Sequence, residues 1–211
     1  MKGSAMFQEL LERSAAQHRH LCPRQVLGVR MGLLAGKLLD IEVPQADKRM
    51  FVFMETDGCG LSGVEAATGC NAGRRTLRVI DYGKMAATFV DSETMTAVRI
   101  VPSVQSRVLS AVYVPEAKSR WHCQLEAYQV MPDAELLDAQ QVELAVSLQA
   151  IISRPGCRVT CEVCGEEIIN ERVAVQDGVV MCLYCAGDGY YAAATRQSLP
   201  AMPVPAALRT G

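Results

Sequence analysis

Two cysteine pairs near the C-terminus constrain this chain more than any other feature. Cys161-Glu162-Val163-Cys164 and Cys182-Leu183-Tyr184-Cys185 each hold two thiols separated by two residues, and seventeen residues lie between the pairs. Such spacing matches a four-thiolate tetrahedral zinc site. Gly165 follows the first pair, and its access to positive φ lets the chain turn past a ligand. The stretch ERVAVQDGVVMC between the pairs reads as a β-hairpin with Asp177-Gly178 as its turn. Four thiolates leave zinc no open position, so this metal is expected to be structural rather than catalytic. A segment of about 35 residues has too little core to fold unaided, and metal binding would supply the missing stability.

The chain holds nine cysteines, an odd number. Its start, MKGSAMFQELLERSAAQ, has no apolar run bounded by a small-residue cleavage site, so no secretory leader is expected. Reduced thiols and a cytoplasmic location follow as the expectation. The longest apolar stretch, Val26 to Leu39, is broken by Arg30 and Lys37 and is too short to span a bilayer. A net charge of −2 gives no broad attraction to nucleic acid or anionic membranes. From Arg158 onward the four arginines (158, 172, 196, 209) face six acids (Glu162, Glu166, Glu167, Glu171, Asp177, Asp188), with no lysine. Tyr184, Tyr190 and Tyr191 therefore read as packing or protein-contact residues rather than as a base-stacking platform.

Upstream, apolar residues recur at helical spacing over 6–17, and Pro23 opens a second helix that runs to about Leu39. Gly28, Gly32 and Gly36 form one smooth face on that helix, suited to close approach by another element of a soluble core. The apolar run over 50–56 has the pattern of a buried strand. A turn at Asp57-Gly58-Cys59-Gly60 leads into a short helix over 61–68. Strands are predicted over 76–81, 85–91 and 96–101, the first two joined in a hairpin through Tyr82-Gly83-Lys84. Helices over 103–112 and 116–130 follow, then a break at Pro132-Asp133 and a last strand over 141–148. This order argues α+β rather than a doubly wound sheet. Arg154-Pro155-Gly156 marks a boundary, giving a core domain over 1–154, a zinc finger over 155–193 and a proline- and alanine-rich tail over 194–211. Cys123 and Cys157 read as core-filling thiols, and Trp121-His122-Cys123 as a structural stretch of helix.

His18-Arg19-His20-Leu21-Cys22 gathers two of the three histidines beside a cysteine. In an extended segment His18, His20 and Cys22 would point the same way, and Pro23 favours that geometry over helix. Cys22 would sit at a helix N-terminus, where backbone N–H groups favour a thiolate. Imidazole and thiolate suit zinc or another transition metal. Cys59, flanked by glycines after a buried strand, would complete the site. An ordinary loop is the competing reading of the same five residues. Neither a G-x-S-x-G elbow nor a Walker pattern occurs, so a serine hydrolase and a P-loop enzyme are not supported.

The stretches HRHLCPRQVLGVRMG (18–32), DGCGLSGVEAATGCNAGRRTL (57–77), DYGKMAATFVD (81–91) and CEVCGEEIINERVAVQDGVVMCLYCAGDGYY (161–191), taken in this order, resemble the E-subunit family of formylmethanofuran dehydrogenase. The resemblance covers most of residues 10–191. It implies a thioredoxin-like α+β core, with a mixed sheet flanked by helices, and a C-terminal treble-clef zinc finger. It also implies a core site able to bind zinc, mapping to His18, His20, Cys22 and Cys59, with Cys70 and Lys84 nearby. If that site is enzymatic, Cys22 and Cys59 are its reactive thiols. A homodimer, a molybdoenzyme or other protein partner, and an accessory or enzymatic role in anaerobic one-carbon metabolism belong to the same expectation. One position departs from the pattern: Arg24 stands where the family usually has glycine after Cys-Pro, and it would cover the pocket or bind an anionic ligand. Nothing resembles a molybdopterin- or iron–sulfur-binding protein. A regulatory or scaffold protein that binds a partner through its finger is the alternative.

Overall fold

The computed structural model describes residues 5–16, 18–152, 156–169 and 172–192. The chain divides into two compact units, Met1–Ile152 and Ser153–Gly211. The proline- and alanine-rich stretch over 194–211 lies outside the described residues.

The first unit is α+β. Its sheet is built from β1 (Met50–Met54), β2 (Leu77–Val79), β3 (Ala87–Asp91), β4 (Ala97–Pro102) and β5 (Leu137–Val142), in the order β2-β1-β3-β4-β5. β1 and β2 are parallel and every other neighbouring pair is antiparallel, so the sheet is mixed. The helices that accompany it among the described residues are α1 (Ala5–Ala15), α2 (Pro23–Leu39), α3 (Cys59–Thr68), α4 (Ser106–Tyr113), α5 (Arg120–Ala127), α6 (Asp133–Leu136) and α7 (Leu148–Ile151). No described helix is long and apolar enough to cross a membrane.

β1 lies inside the sheet and is covered on both faces, which explains its unbroken apolar run. Met50, Val52 and Met54 belong to the main core with residues of α1, α2 and α3. Phe51 and Phe53 face a smaller cluster with Val90, Ala97 and Leu148 of α7. The glycine face of α2 packs on α3. A Cβ on Gly28 would lie 2.2 Å from the Gly60 carbonyl oxygen, and one on Gly63 would lie 2.3 Å from that of Gln25. These two helices touch backbone to backbone.

Two expectations are corrected. The strands over 76–81 and 85–91 do not form a hairpin, because β1 lies between them. The Tyr82-Gly83-Lys84 turn is present, with Gly83 at φ 65°, but it carries the chain around the end of β1. Ile80 N–H donates to Met54 O, and the Tyr82 and Lys84 N–H groups both donate to Glu55 O. A strand needing neighbours on both edges thus captured both arms of the turn. The hairpin is β3–β4 instead, closed at Asp91, whose carboxylate is held by Arg49 at 2.8 and 3.1 Å and by Thr94 Oγ1 at 3.0 Å. The last strand begins earlier than the reading over 141–148, at Leu137, and Ser147 instead caps α7 by accepting from Ala150 N–H.

The second unit holds two hairpins, β6–β7 (Arg158–Thr160, Glu167–Ile169) and β8–β9 (Val173–Gln176, Val179–Cys182). Asp177 at φ 51° and Gly178 at φ 84° make the two-residue turn that the sequence announces. Cys161, Ile168 and Met181 form its small core.

Candidate metal centres and a cationic cavity

The four thiols of the second unit converge. Cys161, Cys164, Cys182 and Cys185 have all sulfur atoms within 4.8 Å of one another, with Cys164 Sγ 4.0 Å from Cys182 Sγ. Tetrahedral zinc with sulfur at about 2.3 Å requires sulfurs about 3.8 Å apart, so the set fits such an ion. Backbone turns build the arrangement. Gly165, at φ 78°, returns its N–H to Cys161 O at 2.9 Å, and the N–H groups of Cys182 and Cys185 point at Cys161 Sγ and Cys182 Sγ at 3.3 and 3.4 Å. Donation from backbone N–H groups, that of Cys164 first, pulls the Cys161 thiol down to about 6. Desolvation and the neighbouring thiols push Cys185 up to about 12. One thiolate is thus favoured before any metal arrives, while the full set of four needs a cation. Val180 N–H donates to Glu162 Oε1 at 3.0 Å and Glu162 N–H to Val180 O at 2.9 Å, locking one cysteine loop to the second hairpin.

In the first unit, Cys22 and Cys59 stand at the starts of adjacent helices. Cys22 is the N-cap of α2, in extended backbone, and its N–H donates to Gln25 Oε1 at 2.7 Å. The buried Gln25 amide donates in turn to Ser14 O at 2.9 Å, so α1 fixes the cap. Cys59 opens α3 after Gly58, whose φ of 80° favours a residue lacking Cβ. The glycine contact between α2 and α3 brings the two thiols together. Burial, and then the hydrogen bond to Cys22, push the Cys59 thiol up, while Arg24 pulls the other way. His18 joins them: its Nδ1 lies 4.0 Å from Cys59 Sγ and its Nε2 3.0 Å from Ser62 Oγ.

The remaining expectations divide. Residues 18–20 bend rather than extend, so His20 turns from His18 and meets Trp121 edge to face at 5.9 Å. Cys70 is fully buried, with its thiol against Met50 O at 3.3 Å and the Gln45 amide at 3.2 Å; it faces the core and does not line the cavity described next. Cys123 is a buried thiol near Ser110 and Val114, whereas Cys157 is only half-buried, so its reading as a core filler is not met. Among the described residues, the four thiols of the second unit are the one group of three or more His, Cys, Asp or Glu side chains with ligand atoms this close.

Cys22 and Cys59 line a cavity of about 750 Å³, within the roughly 300–1,000 Å³ of small-molecule sites. Arg24 and Lys84 line it too. The backbone bonds at Glu55 hold the Lys84 loop, and the Glu55 carboxylate accepts from Arg99 at 2.6 and 2.7 Å, which keeps that carboxyl below its usual range. α4 and α5 supply Arg107 and Trp121, and Tyr128 follows at the end of α5. Sequence reading missed these three, and it took Trp121 as structural. Only their arrival from far along the chain makes them cavity residues, although a single tryptophan in the chain was a signal worth weighing.

Residues 17–138 match the family model described as FmdE, molybdenum formylmethanofuran dehydrogenase operon. A relative from Archaeoglobus fulgidus, described as a probable S-adenosyl-L-methionine-binding protein, is 30% identical over 205 residues. That alignment covers 89% of this chain and 55% of the relative, so the chain spans about half that protein's length. A solved structure from Syntrophus aciditrophicus, a tungsten formylmethanofuran dehydrogenase FmdE-like protein, aligns at a TM-score of 0.51 and 22% identity. It covers 88% of this chain and 95% of that one, a likeness of fold alone. With the family model spanning more than half of the sequence and a four-cysteine metal site following it, the chain belongs to the FmdE family.

Proposed function

We propose that the protein is a zinc-binding member of this family whose first unit holds a second transition metal at His18, Cys22 and Cys59, facing the cavity. The observation that carries the reading is the position of Cys59 Sγ, hydrogen-bonded to Cys22 and 4.0 Å from His18 Nδ1, with the two cysteines on the cavity wall. Three such ligands leave a position for water or substrate, which is the condition for metal-assisted chemistry rather than a structural role. Bound there, the metal would polarise a ligand oxygen or lower the pKa of water. The chain's own part is to fix the two thiols at helix starts, to orient His18 through Ser62, and to enclose the ligand.

The four-cysteine unit takes the structural zinc; its first cysteine loop followed by the β8–β9 hairpin supports the treble-clef reading, although the described residues after Cys182 form turns rather than the helix of that fold. In the first unit, a parallel β1–α3–β2 crossover followed by an antiparallel β3–β4 hairpin supports the thioredoxin-like reading. We place the protein as a cytoplasmic homodimer with an accessory or enzymatic role in anaerobic one-carbon or molybdoenzyme metabolism. The contact between the Cys22 and Cys59 thiols favours a second reading, in which the pair is redox-active and carries no metal. Scaffolding through the finger is a third.

Metal content per chain, measured anaerobically in the parent and in a Cys22→Ala, Cys59→Ala variant, separates these. About two metals falling to about one is expected for two independent sites. About one metal in both proteins would sink the core site and leave the thiol pair.

A further inference from the structure

The cavity wall is electrostatically one-sided. Arg24, Lys84, Arg99 and Arg107 line it, and among the described residues no Asp or Glu does, although the whole chain carries a net charge of −2. Arg99 is taken by Glu55, and Lys84 senses that same carboxylate while lying 6.0 Å from the Tyr82 ring. Arg24 and Arg107 have no ion-pair partner among the described residues. Beside these cations the wall carries the apolar and aromatic side chains of Leu27, Val101, Trp121 and the buried Tyr128, with the neutral polar Ser103, Ser106 and Gln124 among them. Cations gathered around a concave site without counter-charges raise the local concentration of anions, and low-dielectric walls strengthen the effect. Guanidinium groups add geometry, since their paired N–H donors match an oxyanion.

We propose that this cavity binds an organic oxyanion, its charged group held by Arg24, Lys84 and Arg107 and its apolar or aromatic body lying against Leu27, Trp121 and Tyr128. This deepens the reading of the same site, since it rests on Cys22 and Cys59 being the reacting end and names the class of molecule brought to them. A ligand with net positive charge, such as S-adenosylmethionine with its sulfonium and ammonium groups, is disfavoured by the same wall. Arg24 thereby gains a role: it stands one residue after the Cys22-Pro23 pair and reaches the ligand space next to the thiols.

Trp121 is the only tryptophan in the chain and lines the cavity, so its fluorescence reads occupancy directly. The 211-residue chain would be titrated at low ionic strength with pyrophosphate, glutarate and S-adenosylmethionine, and so would the Arg24→Ala, Lys84→Ala variant. At least one anion is expected to give a saturable change that weakens by about tenfold or more in that variant, the size of losing a charge-assisted contact. The tighter of the two anions tells phosphate from carboxylate chemistry. Since both substituted side chains are exposed, melting temperature and metal content should stay at the parent values. No saturable change with either anion, an unaltered affinity in the variant, or tighter binding of S-adenosylmethionine would overturn the proposal. Anion binding lost in Cys22→Ala, Cys59→Ala yet intact in Arg24→Ala, Lys84→Ala would place the anion on the metal, overturning this proposal and leaving the metal reading standing. Anion binding that depends on Arg24 and Lys84 in a protein with one metal would do the reverse.

Discussion

The two thiol clusters of this protein are assembled by opposite means. In the second unit all four sulfurs come from 25 consecutive residues, Cys161 to Cys185, and are aimed by tight turns and backbone N–H groups. The core around them is three buried side chains. In the first unit Cys22 and Cys59 are 37 residues apart, and they meet because α2 and α3 pack glycine on glycine against a large core. One thiol set is a local design with little core to hold it. The other is a by-product of packing on a large core. Stability and site geometry are therefore coupled in different directions in the two units.

The largest test of that contrast is metal removal. Structural zinc contributes on the order of 10 kcal/mol to comparable small domains, so a chelator, or Cys161→Ser, should abolish hydrogen-exchange protection in β6–β9. Protection in β1, β3 and β4 should be unchanged. Loss of protection in both units together would break the comparison, since the first would then lean on the zinc of the second.

Next comes the helix contact. Gly63→Ala would press a methyl group 2.3 Å from the Gln25 carbonyl oxygen, and overpacking of this kind costs about 1–3 kcal/mol. Thermal unfolding of the first unit should move down, and if the proposed core site holds a metal, its binding should weaken because α2 and α3 are forced apart. The four-cysteine site should keep its ion. Unchanged core binding with lowered stability would show that helix separation does not set the distance between the thiols.

Acid should act on the first unit through Asp91 as well. Its carboxylate, bonded to Arg49, Glu93 N–H and Thr94, titrates at about 2 in place of 3.8. A depressed folded-state value means stability that is complete above about pH 4 and is lost as pH falls through about 2. The amount is roughly 2 kcal/mol. Comparing the parent with Asp91→Asn across pH 2–6 should show the parent's advantage vanish at the acid end; a constant difference would mean that the carboxylate's charge contributes nothing there.

The smallest effect is expected at Cys70. Cys70→Ala removes one buried sulfur at a cost of roughly 1 kcal/mol, and core metal content should not change. Loss of metal in this variant would bring Cys70 into the site and would mean that the first unit's ligand set differs from the one read here.

Much was legible without coordinates where ligand and scaffold are neighbours in the chain. The CxxC spacing, Gly165 and the Asp177-Gly178 turn identify the second unit's thiol site because turn chemistry and ligand spacing are local properties. Pro23 and the Gly28, Gly32, Gly36 face likewise mark α2 and its close partner. The Tyr82-Gly83-Lys84 turn was legible as a turn, but not as a passage around β1, because a turn residue states where the chain reverses and not which strand receives it. His20 left the His18 cluster for Trp121, and Arg107, Trp121 and Tyr128 became cavity residues, for the same reason. Their roles depend on contacts across some 100 residues of sequence, which only the packing of α5 on α2 and α4 brings into existence.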